Sequence, residues 1–249
     1  MGARSVVTAD WSLGWRLRDS LPPASRLDRT RIDLYWLPLG AGGHSVRWNG
    51  RIFEALMARR EHRTRCELYH SALEVRVPEG RFVIEMGPAQ GMKTGERDIA
   101  CEGAVGSRWL GRSPLFRYQV RRWRSGVIPD VAAAPSGPQR VSEDVVQARR
   151  LLELVPLFPT ATWGRDELGT GDMWNSNSLI AWLLARSGHD MDRINPPPLG
   201  LAPGWSAGLI VAARQQSNER TRFQPQLRRV DLDLGRLDRH PYRPAVGKA

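Results

Sequence analysis

The chain of 249 residues is 41% hydrophobic and 25% charged and carries ten tryptophans, a balance that excludes a wholly disordered polymer and allows one large domain or two small ones. Its two cysteines, Cys66 and Cys101, exclude a disulfide framework and a four-cysteine zinc site and fit reduced thiols in a cytoplasmic protein. The net charge is +11, but 35 of the 37 basic residues are arginine, Lys93 and Lys248 being the exceptions. That bias reads as solvated surface, so nucleic acid is not expected as the main ligand, while an anionic surface would be attracted in a salt-dependent way.

Residues 1–30 are polar, contain Pro22-Pro23, and read as an N-terminal lead-in that Trp11 and Trp15, at i and i+4, could dock. No apolar run approaches the roughly 20 residues of a membrane span, and the first residues lack the apolar centre of a secretory signal. Residues 32–37 read as a strand ending at Pro38. Gly40-Ala41-Gly42-Gly43-His44 is a turn without the Gly-Lys-Ser/Thr of a phosphate loop. Asn49-Gly50 between apolar flanks is a hairpin signal, and 55–67 a short helix or an irregular charged segment. Residues 68–77 and 81–86 are strands around the Gly80 turn, and 99–105 and 115–123 are two more. About six short strands without long helices between them predict a mostly antiparallel sheet.

The composition then shifts. Residues 129–139 are rich in Pro and Ala and read as a loop or linker. Ser142 is placed to cap a helix that carries Glu143 and Asp144 in its first turn and stops before Pro156. A second helix is expected from near Asn175 to Arg186, closed by Gly188. Pro203-Gly204-Trp205 makes a rigid turn over the body. From 214 to 249 no period is sustained, and the chain reads as a flexible basic tail. This leaves 31–213 as one α+β domain, a mostly antiparallel sheet packed by two C-terminal helices.

The chemistry concentrates in Met173-Trp174-Asn175-Ser176-Asn177-Ser178-Leu179. On a helix Ser176 shares a face with Ile180 and Leu183. Its hydroxyl then points inward at the first turn, where free backbone amides and the positive dipole end favour an oxyanion. The alternative is an N-cap cluster in which Asn175 or Ser176 satisfies orphan amides. A hydroxyl nucleophile needs a base, and the base needs an orienting group. Of the five histidines, His240 falls in the tail, His189 reads as a surface residue after a helix C-terminus, and His62 sits in a run of charges. His44 and His70 remain, and His70 opens the strand 69–75. Glu85 lies among apolar residues of the returning strand and needs a partner. His70 fits, and so does one of the many arginines.

A strand opening on Tyr69-His70-Ser71, a next strand carrying Glu85, and a late helix opening on Asn175-Ser176-Asn177-Ser178-Leu179 together resemble the circularly permuted papain-like fold. That group includes the PPPDE-type peptidases and the LRAT-type acyltransferases, relatives of NlpC-type amidases. Its nucleophile helix opens in an Asn-Cys-Asn-Ser/Thr-aromatic pattern; here Ser176 stands for the Cys and Leu179 for the aromatic. The resemblance spans roughly residues 32–190, and about a dozen of them are specific.

The resemblance implies a hydrolase or acyltransferase acting on an ester, thioester or amide of a small-molecule, lipid or peptide substrate. Ser176 would attack, His70 would carry the proton, and Glu85 would fix the His70 tautomer. Amides near Ser176 and Asn177, with an Asn175 or Asn177 side chain, would hold the oxyanion. Trp174 and Trp205 would line the groove or pack in the core. A Ser, unlike a Cys, must lose its proton as it attacks. The resemblance therefore also fits a catalytically inactive module that binds a peptide, lipid or protein partner. A third reading is an arginine-driven binder of anionic surfaces, with residues 116–124 as its stripe, although alternation splits Arg121 and Arg122 between faces. No metal-ligand spacing and no cofactor fingerprint is present, and none is expected to be needed.

Overall fold

The computed structural model describes residues 29–39, 66–89, 97–128, 131–135 and 137–237; for 97–98 and 223–237 it describes the backbone alone. The lead-in before 29, the glycine-rich turn with His44, the Asn49-Gly50 hairpin, the segment holding His62, and the region of His240 lie outside the described residues.

Six strands make one antiparallel sheet: β1 (Arg31–Pro38), β2 (Glu67–Val77), β3 (Gly80–Pro88), β4 (Arg97–Ala104), β5 (Arg117–Arg124) and β6 (Gln139–Ser142). Their order across the sheet is β4-β5-β3-β2-β1-β6. A two-residue strand, β7 (Gly200–Leu201), adds parallel pairing at Glu67 and Leu68, the start of β2. Helices α1 (Val145–Leu154), α2 (Ser176–Arg186) and α3 (Trp205–Leu237) follow the sheet in sequence. This is the α+β architecture expected, with α2 against β2 and β3 and α3 laid along α2.

Alternation along each strand sorts the side chains. Ile32, Leu34 and Trp36 of β1, Leu73 and Val75 of β2, Ile84 and Met86 of β3, and Tyr118 and Val120 of β5 enter one core with Leu151 of α1 and Leu179, Ile180 and Leu183 of α2. We call this the helix face. The other face holds a small cluster of Leu37, Ala72, Val83 and Ile128, surrounded by charged residues. Nearly every residue of α2, from Ser176 to Leu184, is buried, because the sheet lies on one side of it and α3 on the other.

Three boundaries differ from the sequence reading. Gln139–Ser142 is strand rather than linker and cap: Asp144 caps α1 by accepting from the amides of Val146 (2.7 Å) and Gln147 (3.0 Å), while Ser142 Oγ accepts from Asp144 N at 3.1 Å. Residues 114–116 form a 3-10 turn, and β5 begins at Arg117. The flexible tail expected from 214 is instead helix as far as Leu237. The face of α3 that meets α2 runs through Ala207, Val211, Gln215 and Glu219. Its later positions are polar and find polar partners: Trp182 Nε1 donates to Gln215 Oε1 at 2.8 Å, and Arg186 pairs with both oxygens of Glu219 at 2.9 and 2.6 Å. An apolar period cannot reveal a face held this way. Gly208 sets how close the helices come, since a Cβ there would stand 2.3 Å from the Ser178 carbonyl and 2.9 Å from Ala181 Cβ.

Candidate functional site

The start of α2 is a hydrogen-bonded corner. Asn175 is the N-cap: its Oδ1 accepts from Asn177 N at 2.9 Å and Ser178 N at 3.3 Å. Ser178 Oγ returns the bond by accepting from Asn175 N at 3.0 Å, closing a capping box. Asn177 reaches the other way. Its Nδ2 donates to the carbonyls of Tyr69 (2.9 Å) and Pro203 (2.8 Å), and its Oδ1 accepts from Ser71 Oγ at 2.8 Å. The Pro203 carbonyl also accepts from Asn175 Nδ2 at 2.8 Å. Asp172 Oδ2 accepts from Gly204 N (2.8 Å) and Ser206 Oγ (2.7 Å), fixing the start of α3. Gly204 has φ +88°, and a Cβ there would stand 2.2 Å from Asn175 Oδ1, so no other residue fits this turn.

Ser176 is buried at 7% exposure, with Ile180 and Leu183 fully buried on its side of the helix. The inward direction expected for it therefore holds. Its hydroxyl takes no part in the hydrogen bonds of the corner.

His70 sits elsewhere. Its cross-strand partner is Leu37, a member of the cluster on the face away from the helices. Its neighbour Ser71 carries the bond to Asn177. A pleated strand turns successive side chains to opposite faces, so Ser71 faces α2 and His70 faces away. Glu85 shares the His70 face, between Ile84 and Met86 of the helix-side core. Arg121, directly opposite Glu85 on β5, brings its Nη1 to 3.6 Å from the carboxylate. The arginine alternative for Glu85 is thus present. Of the six residues proposed for the site besides Glu85, the corner gathers Ser176, Asn175 and Asn177, with His70 behind the sheet.

The two tryptophans serve packing. Trp174 is 1% exposed, stacks on Phe158 at 4.8 Å and 12°, and donates from Nε1 to Pro159 O at 3.1 Å. Trp205 lies tilted on Trp36 with centroids 4.9 Å apart. Neither cysteine is in a disulfide, and burial, followed by the nearby Glu102 charge, pushes the Cys101 thiol up to about 11, so it is not a thiolate at neutral pH. His189 is half-buried rather than on the surface. Its Nδ1 lies 3.1 Å from Leu184 O and 2.9 Å from Ser187 Oγ, and burial holds its pKa below the usual histidine value. Among the described residues no group of three or more His, Cys, Asp or Glu could hold a metal ion.

One polar centre escaped the sequence reading. Asp33 and Glu74 stand directly opposite each other on β1 and β2 and are 2% and 6% exposed. Two like charges at such a position repel. Four arginines answer them. Arg31 Nε lies 3.0 Å from Asp33 and its Nη2 3.6 Å from Glu74. Arg76 and Arg81 each lie 2.8 Å from Glu74, and Arg140 lies 2.6 Å from Asp33. Burial pushes the Glu74 carboxyl up, but the bonds and charges of Arg76 and Arg81 outweigh it and hold the group below its ordinary value. The signal was available: each carboxylate interrupts an apolar strand, the argument applied to Glu85 alone.

The chain matches no protein-family model, no curated protein and no solved structure in comparisons with all three.

Proposed function

We propose that this protein is a non-catalytic binding module, built on the permuted papain-like arrangement that its residues resemble and directed to anionic partners by its arginines. The observation that carries the reading is the Ser71–Asn177 hydrogen bond. It turns Ser71, not His70, toward the start of α2, so that among the described residues His70 is not on the side of the sheet where a hydroxyl nucleophile at Ser176 would need its base. The side chains of Asn175 and Asn177, which an oxyanion hole would have to lend to a substrate, are engaged by backbone groups of the fold. The net charge of +11 supports an anionic partner.

One observation favours the hydrolase or acyltransferase reading with Ser176, His70 and Glu85. The Ser176 hydroxyl sits at a buried helix start and outside the corner's hydrogen bonds, as a nucleophile would. Labelling of the folded full chain with a fluorophosphonate, followed by intact mass and peptide mapping, separates the two readings. The binding-module reading expects no adduct on Ser176 and the same mass profile for wild type and Ser176→Ala. A single adduct on Ser176 that vanishes in His70→Ala would overturn it.

A further inference from the structure

The connection between β4 and β5 presents large apolar side chains to solvent. Trp109 is 71% exposed, Leu115 67% and Phe116 41%. They belong to a segment with two 3-10 turns, Leu110–Arg112 and Pro114–Phe116. The segment is firmly built. Val105 N donates to Phe116 O (2.8 Å), Gly106 N to Trp163 O (3.0 Å) and Phe116 N to Ser113 O (3.0 Å). Ser113 Oγ accepts from Leu115 N, and Arg165 Nε donates to Gly106 O at 2.7 Å. A Cβ on Gly111 would stand 2.5 Å from Ala104 Cβ, so this turn is pressed against the end of β4. A fold that holds a Trp, a Leu and a Phe outward on an ordered platform keeps them available for something outside the chain.

The charge around them narrows the partner. From 103 to 117 the sequence has no Asp or Glu and three arginines, Arg108, Arg112 and Arg117. Arg108 and Arg112 flank Trp109, and Arg117 follows Phe116. Arg108 pairs with Glu167, and Arg117 with Glu102 at 2.7 Å; Arg112 is exposed at the tip. Apolar and aromatic side chains alternating with arginine, with no acidic residue among them, match the boundary of an anionic bilayer: rings and aliphatic groups enter the acyl border while guanidinium groups stay at the phosphates. Among the described residues no helix is long and apolar enough to cross a membrane, so contact through this segment would be peripheral.

We propose that the segment 107–117 docks the protein on the surface of an anionic lipid bilayer, with Trp109 and Leu115 inserted and Arg112 at the headgroups. This rests on the binding-module reading and names its partner. The test is co-sedimentation of the full chain with vesicles of phosphatidylcholine alone, or of equal parts phosphatidylcholine and phosphatidylglycerol, at low and raised salt. The double variant Trp109→Ser/Leu115→Ser and the single variant Arg112→Glu are compared with Leu199→Ser, which removes an apolar side chain of 91% exposure outside the segment. Unfolding midpoints check that all remain folded.

Wild type and Leu199→Ser are expected to bind the anionic vesicles alike, weakening with salt, and the double variant to lose affinity by about tenfold or more. Arg112→Glu is expected to weaken binding to the anionic vesicles alone. Equal binding by wild type and the double variant would overturn the docking site, and so would equal binding to both vesicle types. Absence of vesicle binding would also overturn it, including the case where the double variant instead loses a protein partner. None of these results puts an adduct on Ser176, so failure of the docking site is distinguishable from failure of the binding-module reading.

Discussion

Replacing Asn177 with alanine is expected to cost about 3 kcal/mol of folding stability, measured as the shift in urea unfolding free energy at constant slope. The side chain is 1% exposed and makes hydrogen bonds to β2, through Tyr69 O and Ser71 Oγ, and to the turn before α3, through Pro203 O. Truncation removes the bonds and leaves the Tyr69 carbonyl and the Ser71 hydroxyl facing a small void. Unsatisfied buried groups cost more than the bonds themselves contribute. The Pro203 carbonyl retains Asn175 Nδ2 as a donor, which limits the loss. A change below about 0.5 kcal/mol, the size of an ordinary surface substitution, would contradict the described corner.

Replacing Glu74 with glutamine is the second large effect. The carboxylate is held by Arg76 and Arg81 at 2.8 Å each and by Arg31 at 3.6 Å. Removing one partner of a fully buried pair costs about 3–5 kcal/mol. Here Arg76 and Arg81 keep 20% and 32% of their side-chain surface in water, so a loss of about 2 kcal/mol near neutral pH is expected.

The pH dependence has a definite sign. The folded-state pKa of Glu74 lies below its ordinary value of 4.5. The contribution is therefore complete above that value and is lost as pH falls through the folded-state pKa, because the unfolded chain binds the proton first. The gap between wild type and Glu74→Gln, followed by urea unfolding across a pH series, should be constant down to about pH 5 and then close. A gap that stays constant through the acid range would show that the ionised pair contributes nothing.

Much of the sheet was legible because its strands alternate or run apolar between turn residues. Gly80 turns the chain between β2 and β3 with φ +144°, and both strands lie close to their expected bounds. The helix α2 was legible from its ends, Asn175 as the cap and Gly188, at φ +86°, after its last turn. The part of α3 beyond residue 214 was not, because its inward Gln215 and Glu219 answer Trp182 and Arg186 rather than an apolar core. The same limit applies to the site. A helix wheel gives the inward direction of Ser176, since the neighbours that decide it are four and seven residues away. Which face of β2 carries His70 depends on pairing with β1, more than thirty residues earlier, and on Ser71 finding Asn177 more than a hundred residues later. The buried Asp33 and Glu74 were hidden for a related reason: each looks like a lone charge in its strand until β1 and β2 are paired.

Ser71, and not His70, works against the start of α2. Two double-mutant cycles on folding free energy test this most directly. Ser71→Ala combined with Asn177→Ala should show a coupling of about 1 kcal/mol, because either change already breaks their shared bond. His70→Ala combined with Ser176→Ala should be additive within about 0.5 kcal/mol, as for two side chains that the sheet separates. Coupling between His70 and Ser176, with none between Ser71 and Asn177, would contradict the account and return His70 to the helix start as a base for Ser176.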